Sequence, residues 1–156
     1  MILEVNRLQY VPNPLFYFHL SWALLLGLLI GLERQIHHRV AGLRTTALVT
    51  LGSALFSSIP TMLISPSTDL LRIASTVVTG VGFLGGGILL REGVSTSSVR
   101  VKGINTAATL WCAAAVGAAS GLGLWTQAGF ATGLLLVVNI VLRILVKKFD
   151  RPMVEE

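Results

Sequence analysis

The side chains best suited to chemistry in this sequence are charged or amide groups at the edges of apolar runs. Arginine and lysine donate hydrogen bonds to anions, and a nearby carboxylate can hold such donors in position. We therefore expect a polar cluster in which Arg44 and Arg91 face an anion or a protein partner while Glu33 positions them. The alternative is a charged rim that only anchors the chain in a membrane. The predicted members of the cluster are Glu33, Arg34, Arg44, Arg91, Lys102 and Asn105.

Asn105 and Cys112 lie on one stretch of predicted helix. Asn105 opens the fourth apolar run, where asparagine commonly caps a helix N-terminus, so capping is the alternative to a functional role. The two residues are seven positions apart, about two helical turns, and so share a face. We expect Cys112 to support the cluster as a small buried side chain. It has no base or second cysteine near it in sequence, which a nucleophile would need.

Other patterns in the sequence do not amount to a catalytic or cofactor site. Gly80, Gly82 and Gly85 match the spacing of a dinucleotide-binding loop, but no strand precedes them and no acidic residue follows at the required distance. His37 and His38 are adjacent and would point in different directions on a helix, which argues against a shared metal ion. The sequence has no catalytic triad, aspartate pair or zinc motif. We expect no enzyme activity and no bound cofactor or metal.

The composition indicates an integral membrane protein. Of the 156 residues, 53% are hydrophobic and only 12% are charged. The net charge of +5 does not point to nucleic acid, because the basic residues lie at the ends of apolar segments. A single cysteine excludes an internal disulfide. We expect one domain over residues 1–156, with no cleavable signal at its start.

The apolar runs predict an all-α bundle of about five transmembrane helices. Each run is close to the length needed to cross a bilayer core of roughly 30 Å. The predicted spans are residues 15–32, 43–64, 70–90, 106–123 and 125–146. We expect the stretch 72–112 to form the centre of the bundle, with the small residues of 113–123 surrounded by neighbouring helices.

Three of the runs carry small residues at intervals of three or four, which predicts faces where helix backbones approach closely. These stripes are Ala23, Gly27 and Gly31; Thr46, Thr50, Ser53 and Ser57; and Ser75, Thr79, Gly82 and Gly86. We assign Gly82 and Gly86 a supporting role at the site. A break in the third helix at Gly85 to Gly87, exposing backbone groups to an ion, is an alternative to plain packing.

The small-residue faces also predict association. Those on the first and fifth runs, including Gly129 and Gly133, exceed what one chain needs for its own packing. We therefore expect a homo-oligomer or a complex with other membrane proteins, within the lipid bilayer and without nucleic acid.

The distribution of basic residues predicts the orientation in the membrane. Of the 12 lysines and arginines, only Arg7 and Arg72 fall on one side of the predicted bundle. Cytoplasmic loops are enriched in lysine and arginine. The N-terminus is therefore predicted to lie outside and the C-terminus in the cytoplasm.

Three long strings of this sequence carry a family resemblance. They are GLERQIHHRVAGLRTTALVTLGSALF at 31–56, RIASTVVTGVGFLGGGILLREG at 72–93 and VKGINTAATLWCAAAVGAASGLG at 101–123. On these strings the chain resembles the MgtC/SapB membrane-protein family. The resemblance implies a multi-pass protein of the bacterial inner (plasma) membrane. Its members are associated with growth under magnesium limitation, stress response and virulence through survival inside host cells, and some restrain the proton-driven ATP synthase.

The resemblance favours a regulator that acts by contacting other membrane proteins. The alternative is a small-ion channel or carrier built on the glycine-rich third span. The chain departs from the family pattern in two ways. Lys102 stands where many members have arginine, and lysine cannot make the bidentate hydrogen bonds of a guanidinium group. The sequence also ends soon after the fifth run, so we expect a short form without the soluble regulatory domain of many members.

Overall fold

The protein is described by a computed structural model, which covers residues 14–62, 67–93 and 103–149. Within these ranges every regular element is a helix, which confirms the predicted all-α class for the described part of the chain. The last three elements run on without interruption as one long helix. The elements are α1 (Pro14–Ile36), α2 (Leu43–Met62), α3 (Ser67–Gly93), α4 (Ile104–Gly121), α5 (Trp125–Val137), a π-helix (Val138–Leu142) and α6 (Arg143–Phe149).

Two stretches of helix are long and apolar enough to cross a membrane. They are Pro14–Ile36 and Trp125–Val146, of 23 and 22 residues. Shorter apolar stretches occur at Leu43–Ile59 and Ser75–Leu89. In the described residues, two of the five predicted crossings therefore meet the criteria of length and composition for a membrane helix.

Three helices, α1, α2 and α4, pack against one another and form the core. The predicted stripe on α2 is fully involved, because Thr46 and Thr50 are 0% exposed and Ser53 and Ser57 are also buried. Ala23 on α1 and Ala113 on α4 are likewise fully buried. The predicted close-contact faces of α1 and α2 are thus confirmed. The α1 face packs within the chain, so the prediction that it exceeds what one chain needs is wrong.

Glycines permit the short distances between these helices. A Cβ placed on Gly27 would lie 2.8 Å from the Cβ of Thr50, and one on Gly31 would lie 2.6 Å from the Cα of Leu43. On α4, a Cβ on Gly117 would overlap the carbonyl oxygen of Thr50. Only glycine allows helix backbones to approach this closely. The packing of α1, α2 and α4 therefore depends on the absence of side chains at these three positions.

The buried hydroxyl groups of the core bond mainly to their own helices. Thr50 Oγ1 donates to the carbonyl oxygen of Thr46 at 2.8 Å, and Ser120 Oγ donates to that of Val116 at 2.8 Å. Ser57 Oγ is an exception and has no hydrogen-bond partner. Because most of these hydroxyls are satisfied within one helix, they pack as small groups and do not line a polar passage.

The position of α3 differs from the prediction. Helix α3 contacts only α4 and α2 among the described helices, whereas α4 contacts α1, α2, α3 and α5. The prediction that α4 is surrounded by neighbours is confirmed, whereas the prediction that α3 shares the centre is wrong; α2 takes that place. The helix also continues without a break through Gly85 to Gly87.

The small-residue stripe of α3 faces outward. Ser75, Thr79, Gly82 and Gly86 are all exposed, and no heavy atom lies within 4 Å of where a Cβ on Gly82 or Gly86 would be. Among residues 14–62, 67–93 and 103–149, this stripe therefore has no packing partner. The supporting role that we assigned to these two glycines stays a prediction.

Aromatic residues gather where α1 begins and α5 begins. The indole nitrogen of Trp22 donates to the carbonyl oxygen of Trp125 at 3.0 Å, and the rings of Phe18 and Trp125 meet edge to face with centroids 6.2 Å apart. Tryptophan is enriched at membrane–water interfaces. This aromatic end of the bundle lies opposite the end where α1 stops and α4 starts.

Candidate functional site

Arg34, in the last turn of α1, ties three parts of the chain together. Its side chain is only 3% exposed. Nε donates to the carbonyl oxygen of Ala41 in the α1–α2 connection at 2.6 Å, and Nη2 donates to Thr106 Oγ1 on α4 at 2.9 Å. A buried guanidinium is stable only when its donors are satisfied, so these bonds fix the start of α4 against the end of α1.

The chain turns sharply after α1. His38 adopts a left-handed backbone conformation with φ of 52°, and the backbone N–H of Arg39 then donates to the carbonyl oxygen of Arg34 at 3.1 Å. This is the usual way for a helix to end, although glycine normally occupies the left-handed position. The turn directs Arg39 back along the end of the bundle.

Glu33 interacts with His37 one turn later. The Nδ1 atom of His37 lies 3.0 Å from Glu33 Oε1 and 2.7 Å from the carbonyl oxygen of Glu33. The prediction that Glu33 positions Arg44 is therefore not what the described contacts show, because the carboxylate pairs along its own helix. Spacing of four residues on one helix brings the two groups together.

These elements enclose a polar cavity of about 470 Å³ at the end of the bundle. It lies between the end of α1, the start of α4 and the π-helix. Its polar side chains come from α1, the α1–α2 connection, α4, the π-helix and α6, and its apolar ones come from the π-helix and α6. The lining residues are Glu33, Arg34, Arg39, Asn105, Val138, Asn139, Leu142, Arg143 and Val146.

The π-helix and the first residue of α6 each place one polar side chain on this cavity. Asn139 lies within the π-helical turn and Arg143 follows directly after it. Within the part of the chain that the structure describes, Asn139 Nδ2 and Arg143 Nη1 are buried atoms without a hydrogen-bond partner. An unsatisfied buried donor is costly in free energy, and π-turns often occur at functional sites. Both observations indicate that this wall of the cavity is part of a functional site.

The polar cavity continues into an apolar groove of about 560 Å³ between α4 and α5. Asn105, Val138 and Asn139 line both spaces. Cys112 lies further along the groove, half-buried, on the same side of α4 as Asn105. The prediction that these two residues share a face is confirmed, and Cys112 borders the groove instead of the polar cavity.

The structure brings together three members of the predicted cluster, Glu33, Arg34 and Asn105. Arg44 is exposed and does not line the cavity. The side chain of Arg91 and the whole of Lys102 fall outside the described residues.

The capping role considered for Asn105 is wrong. Helix α4 begins at Ile104, and its N-cap position is Gly103, with φ of 93° and no side-chain cap. A left-handed residue there favours glycine, and the helix starts two residues earlier than the predicted span 106–123. Asn105 lies within the first turn, where its side chain is free to face the cavity.

Arg39, Asn139 and Arg143 complete the cavity and were not among the predicted site residues. The sequence does indicate that Asn139 and Arg143, four residues apart in an apolar span, form an inward-facing or rim-directed pair, with helix packing as the alternative. Arg39 carried no such signal, because its position depends on the turn at His38.

The cavity presents hydrogen-bond donors and positive charge. Of the residues that the structure describes, three arginines and one carboxylate, Glu33, line it, and Glu33 Oε1 lies 3.0 Å from His37 Nδ1. In the described residues no group of three histidine, cysteine, aspartate or glutamate side chains is arranged to hold a metal ion. The arrangement suits an anion with several acceptor oxygens.

The family assignment rests on most of the chain. A family model described as the MgtC family matches residues 20–148. The chain belongs to the MgtC family. All of the cavity-lining residues fall inside the matched range, so the site is part of the domain that MgtC proteins share.

Individual MgtC proteins are similar over the same region. The chain is 49% identical to Protein MgtC of Brucella abortus (strain 2308) over 131 residues, which is 84% of this chain and 52% of that protein. It is 49% identical to Protein MgtC of Salmonella typhimurium (strain LT2) over 130 residues, or 82% of this chain and 52% of that protein. The chain thus spans about half the length of these curated relatives. No solved structure matches it significantly.

Proposed function

We propose that this MgtC-family protein is a non-enzymatic, multi-pass regulator of the bacterial inner membrane. It supports adaptation to low magnesium and to stress by contacting other membrane proteins, with the proton-driven ATP synthase as the candidate that the family resemblance suggests. The N-terminus lies outside and the C-terminus in the cytoplasm, in accordance with the positive-inside rule. The polar cavity is then at the cytoplasmic end.

The observation that carries the proposal is the close packing of α1, α2 and α4. Positions Gly27, Gly31 and Gly117 leave no room for even a Cβ atom between these helices. A pore for an ion requires a continuous polar passage, and the described core of one chain has none. The polar groups instead meet at one end, where they are accessible to a partner. This arrangement favours a regulator over a channel or carrier.

A flux measurement separates the two candidate functions. The purified chain is reconstituted into liposomes, and the movement of Mg²⁺, K⁺ and protons is followed with entrapped dyes. We expect rates equal to those of empty liposomes, while the same chain slows ATP synthesis in membrane vesicles that contain ATP synthase. Ion flux above that of empty liposomes would instead support the channel or carrier.

A growth measurement tests the cavity. Asn105→Ala should abolish the support of growth in low magnesium without lowering the amount of protein in the membrane, because Asn105 faces the cavity and caps no helix. Thr45→Ala is the matched control, since Thr45 is exposed at the start of α2, outside the cavity. Normal growth with Asn105→Ala would show that the cavity is not required.

A further inference from the structure

The polar cavity and the apolar groove between α4 and α5 form one continuous space with two chemical halves. Asn105, Val138 and Asn139 border both halves. Beyond them, the groove is lined by alanines and aliphatic side chains, including Ala115, Ala131 and Leu135. A ligand that fills the whole space must therefore carry a polar end and a long apolar part.

The polar half selects an anionic end. Arg34, Arg39 and Arg143 line it, and the Glu33 carboxylate is paired with His37. Arg143 Nη1 and Asn139 Nδ2 are buried and have no hydrogen-bond partner among the described residues. Donors of this kind are satisfied by the acceptor oxygens of a phosphate group, which takes several hydrogen bonds at once.

The position in the membrane agrees with a lipid. Arg143 belongs to the apolar stretch Trp125–Val146 and lies close to its end, near the depth where arginine side chains reach lipid headgroups. Basic pockets between transmembrane helices on the cytoplasmic side are suited to anionic headgroups. The groove volume of about 560 Å³ is within the range of roughly 300 to 1,000 Å³ typical of ligand sites.

We propose that this space binds one molecule of an anionic phospholipid. The phosphate accepts hydrogen bonds from Arg143, Asn139 and Arg39 in the cavity, and one acyl chain lies along the groove past Cys112. This inference rests on the proposed function, because it assigns a ligand to the same cavity. Lipid binding is measured on the purified chain, so its failure and a failure of growth support are distinguishable.

Native mass spectrometry of the full chain in neutral detergent tests the proposal. The probes are phosphatidylglycerol and phosphatidylcholine with identical acyl chains, and inorganic phosphate. Both lipids carry the same phosphodiester, but phosphatidylcholine adds a quaternary ammonium that the three arginines repel, so we expect phosphatidylglycerol to bind at least about tenfold more tightly. Equal binding of the two lipids would overturn the proposal. Inorganic phosphate that competes as well as the lipid does would also overturn it, by showing that the groove contributes nothing.

Two test variants and one shared control locate the site. Arg143→Gln and Arg39→Gln should each weaken phosphatidylglycerol binding by roughly tenfold, whereas Arg44→Gln removes the same charge at the same end but outside the cavity and should not. Because Arg39 is exposed, its variant keeps the test valid even if Arg143→Gln does not fold. An equal loss with Arg44→Gln would indicate non-specific attraction and would overturn the proposal.

The groove has its own pair of variants. Ala131→Leu fills part of the groove and should weaken the lipid without changing the binding of inorganic phosphate, whereas Gly133→Leu, on the same helix but facing open space, should change neither. Unchanged lipid binding with Ala131→Leu would overturn the placement of the acyl chain. Retention of a protein or peptide in the groove in place of lipid would also overturn it.

Discussion

The guanidinium of Arg34 on α1 donates to the hydroxyl of Thr106 on α4 across a distance of 2.9 Å, and both residues are buried. They are 72 positions apart in the sequence. The same side chain reaches the carbonyl oxygen of Ala41, so one cation joins two helices and the connection between α1 and α2. This contact holds the wall of the polar cavity in place.

We expect Arg34→Lys to destabilise the protein by about 2–4 kcal/mol, because lysine cannot make both bonds with one planar group and leaves buried acceptors unsatisfied. Thr106→Val should cost about 1–3 kcal/mol, since it leaves a buried donor unpaired. Denaturation of the two single variants and the double variant measures their coupling. Strictly additive losses would show that the hydrogen bond contributes nothing of its own.

The two classes of glycine should respond in opposite ways to alanine. Gly117→Ala should destabilise the protein by about 1–3 kcal/mol, because the added Cβ would overlap the carbonyl oxygen of Thr50 on α2. Gly82→Ala meets no atom within 4 Å and should stabilise α3 by about 0.5–1 kcal/mol through reduced backbone entropy. Thermal unfolding in detergent compares them. A loss with Gly82→Ala in the isolated chain would show a contact that the described fold lacks.

The left-handed turn at His38 should be improved by glycine. With φ of 52°, His38 occupies a conformation that costs an ordinary residue roughly 1–2 kcal/mol. His38→Gly should therefore stabilise the protein by up to about 1 kcal/mol, less the entropy that glycine loses on folding. The control is His37→Gly. His37 directly precedes the left-handed residue, and glycine at this position should destabilise the protein. Chemical denaturation of both variants decides the matter.

Reporter fusions test the proposed orientation. A reporter after Pro152 should be active in the cytoplasm, and one inserted within residues 65–68 should be active outside. The polar cavity would then face the cytoplasm, where Arg39 and Arg143 reach the headgroup level of the inner leaflet. The reverse pair of activities would place the cavity on the outer side and would contradict the orientation.

The sequence predicted which faces of α1 and α2 are buried better than it predicted the place of α3. Small residues at helical spacing mark a face on which backbones can approach, and Gly27 and Thr50 meet on such faces. The same pattern on α3 is exposed at Gly82. Periodicity shows that a face is able to pack, but not whether its partner belongs to the same chain.

The site was predicted in part for a similar reason. Arg34 and Asn105 lie at helix ends, where the boundary between apolar and polar residues is visible in the sequence. Arg39 reaches the cavity, and Arg44 does not, because the chain turns at His38. The conformation of one residue in a connection redirects those that follow it, and no periodic pattern records that change.

The π-helical turn at Val138–Leu142 is a position where the chain could lose one residue. Such a turn holds one residue more than an α-helix joining the same two ends, so it is equivalent to a single-residue insertion. Removing the exposed Ile140 would let the ladder close as a regular helix while α5 and α6 keep their places. Asn139 lies beside the deleted position and would lose its π-helical place on the cavity wall. A one-residue deletion here would thus alter the polar lining of the cavity without breaking the helix.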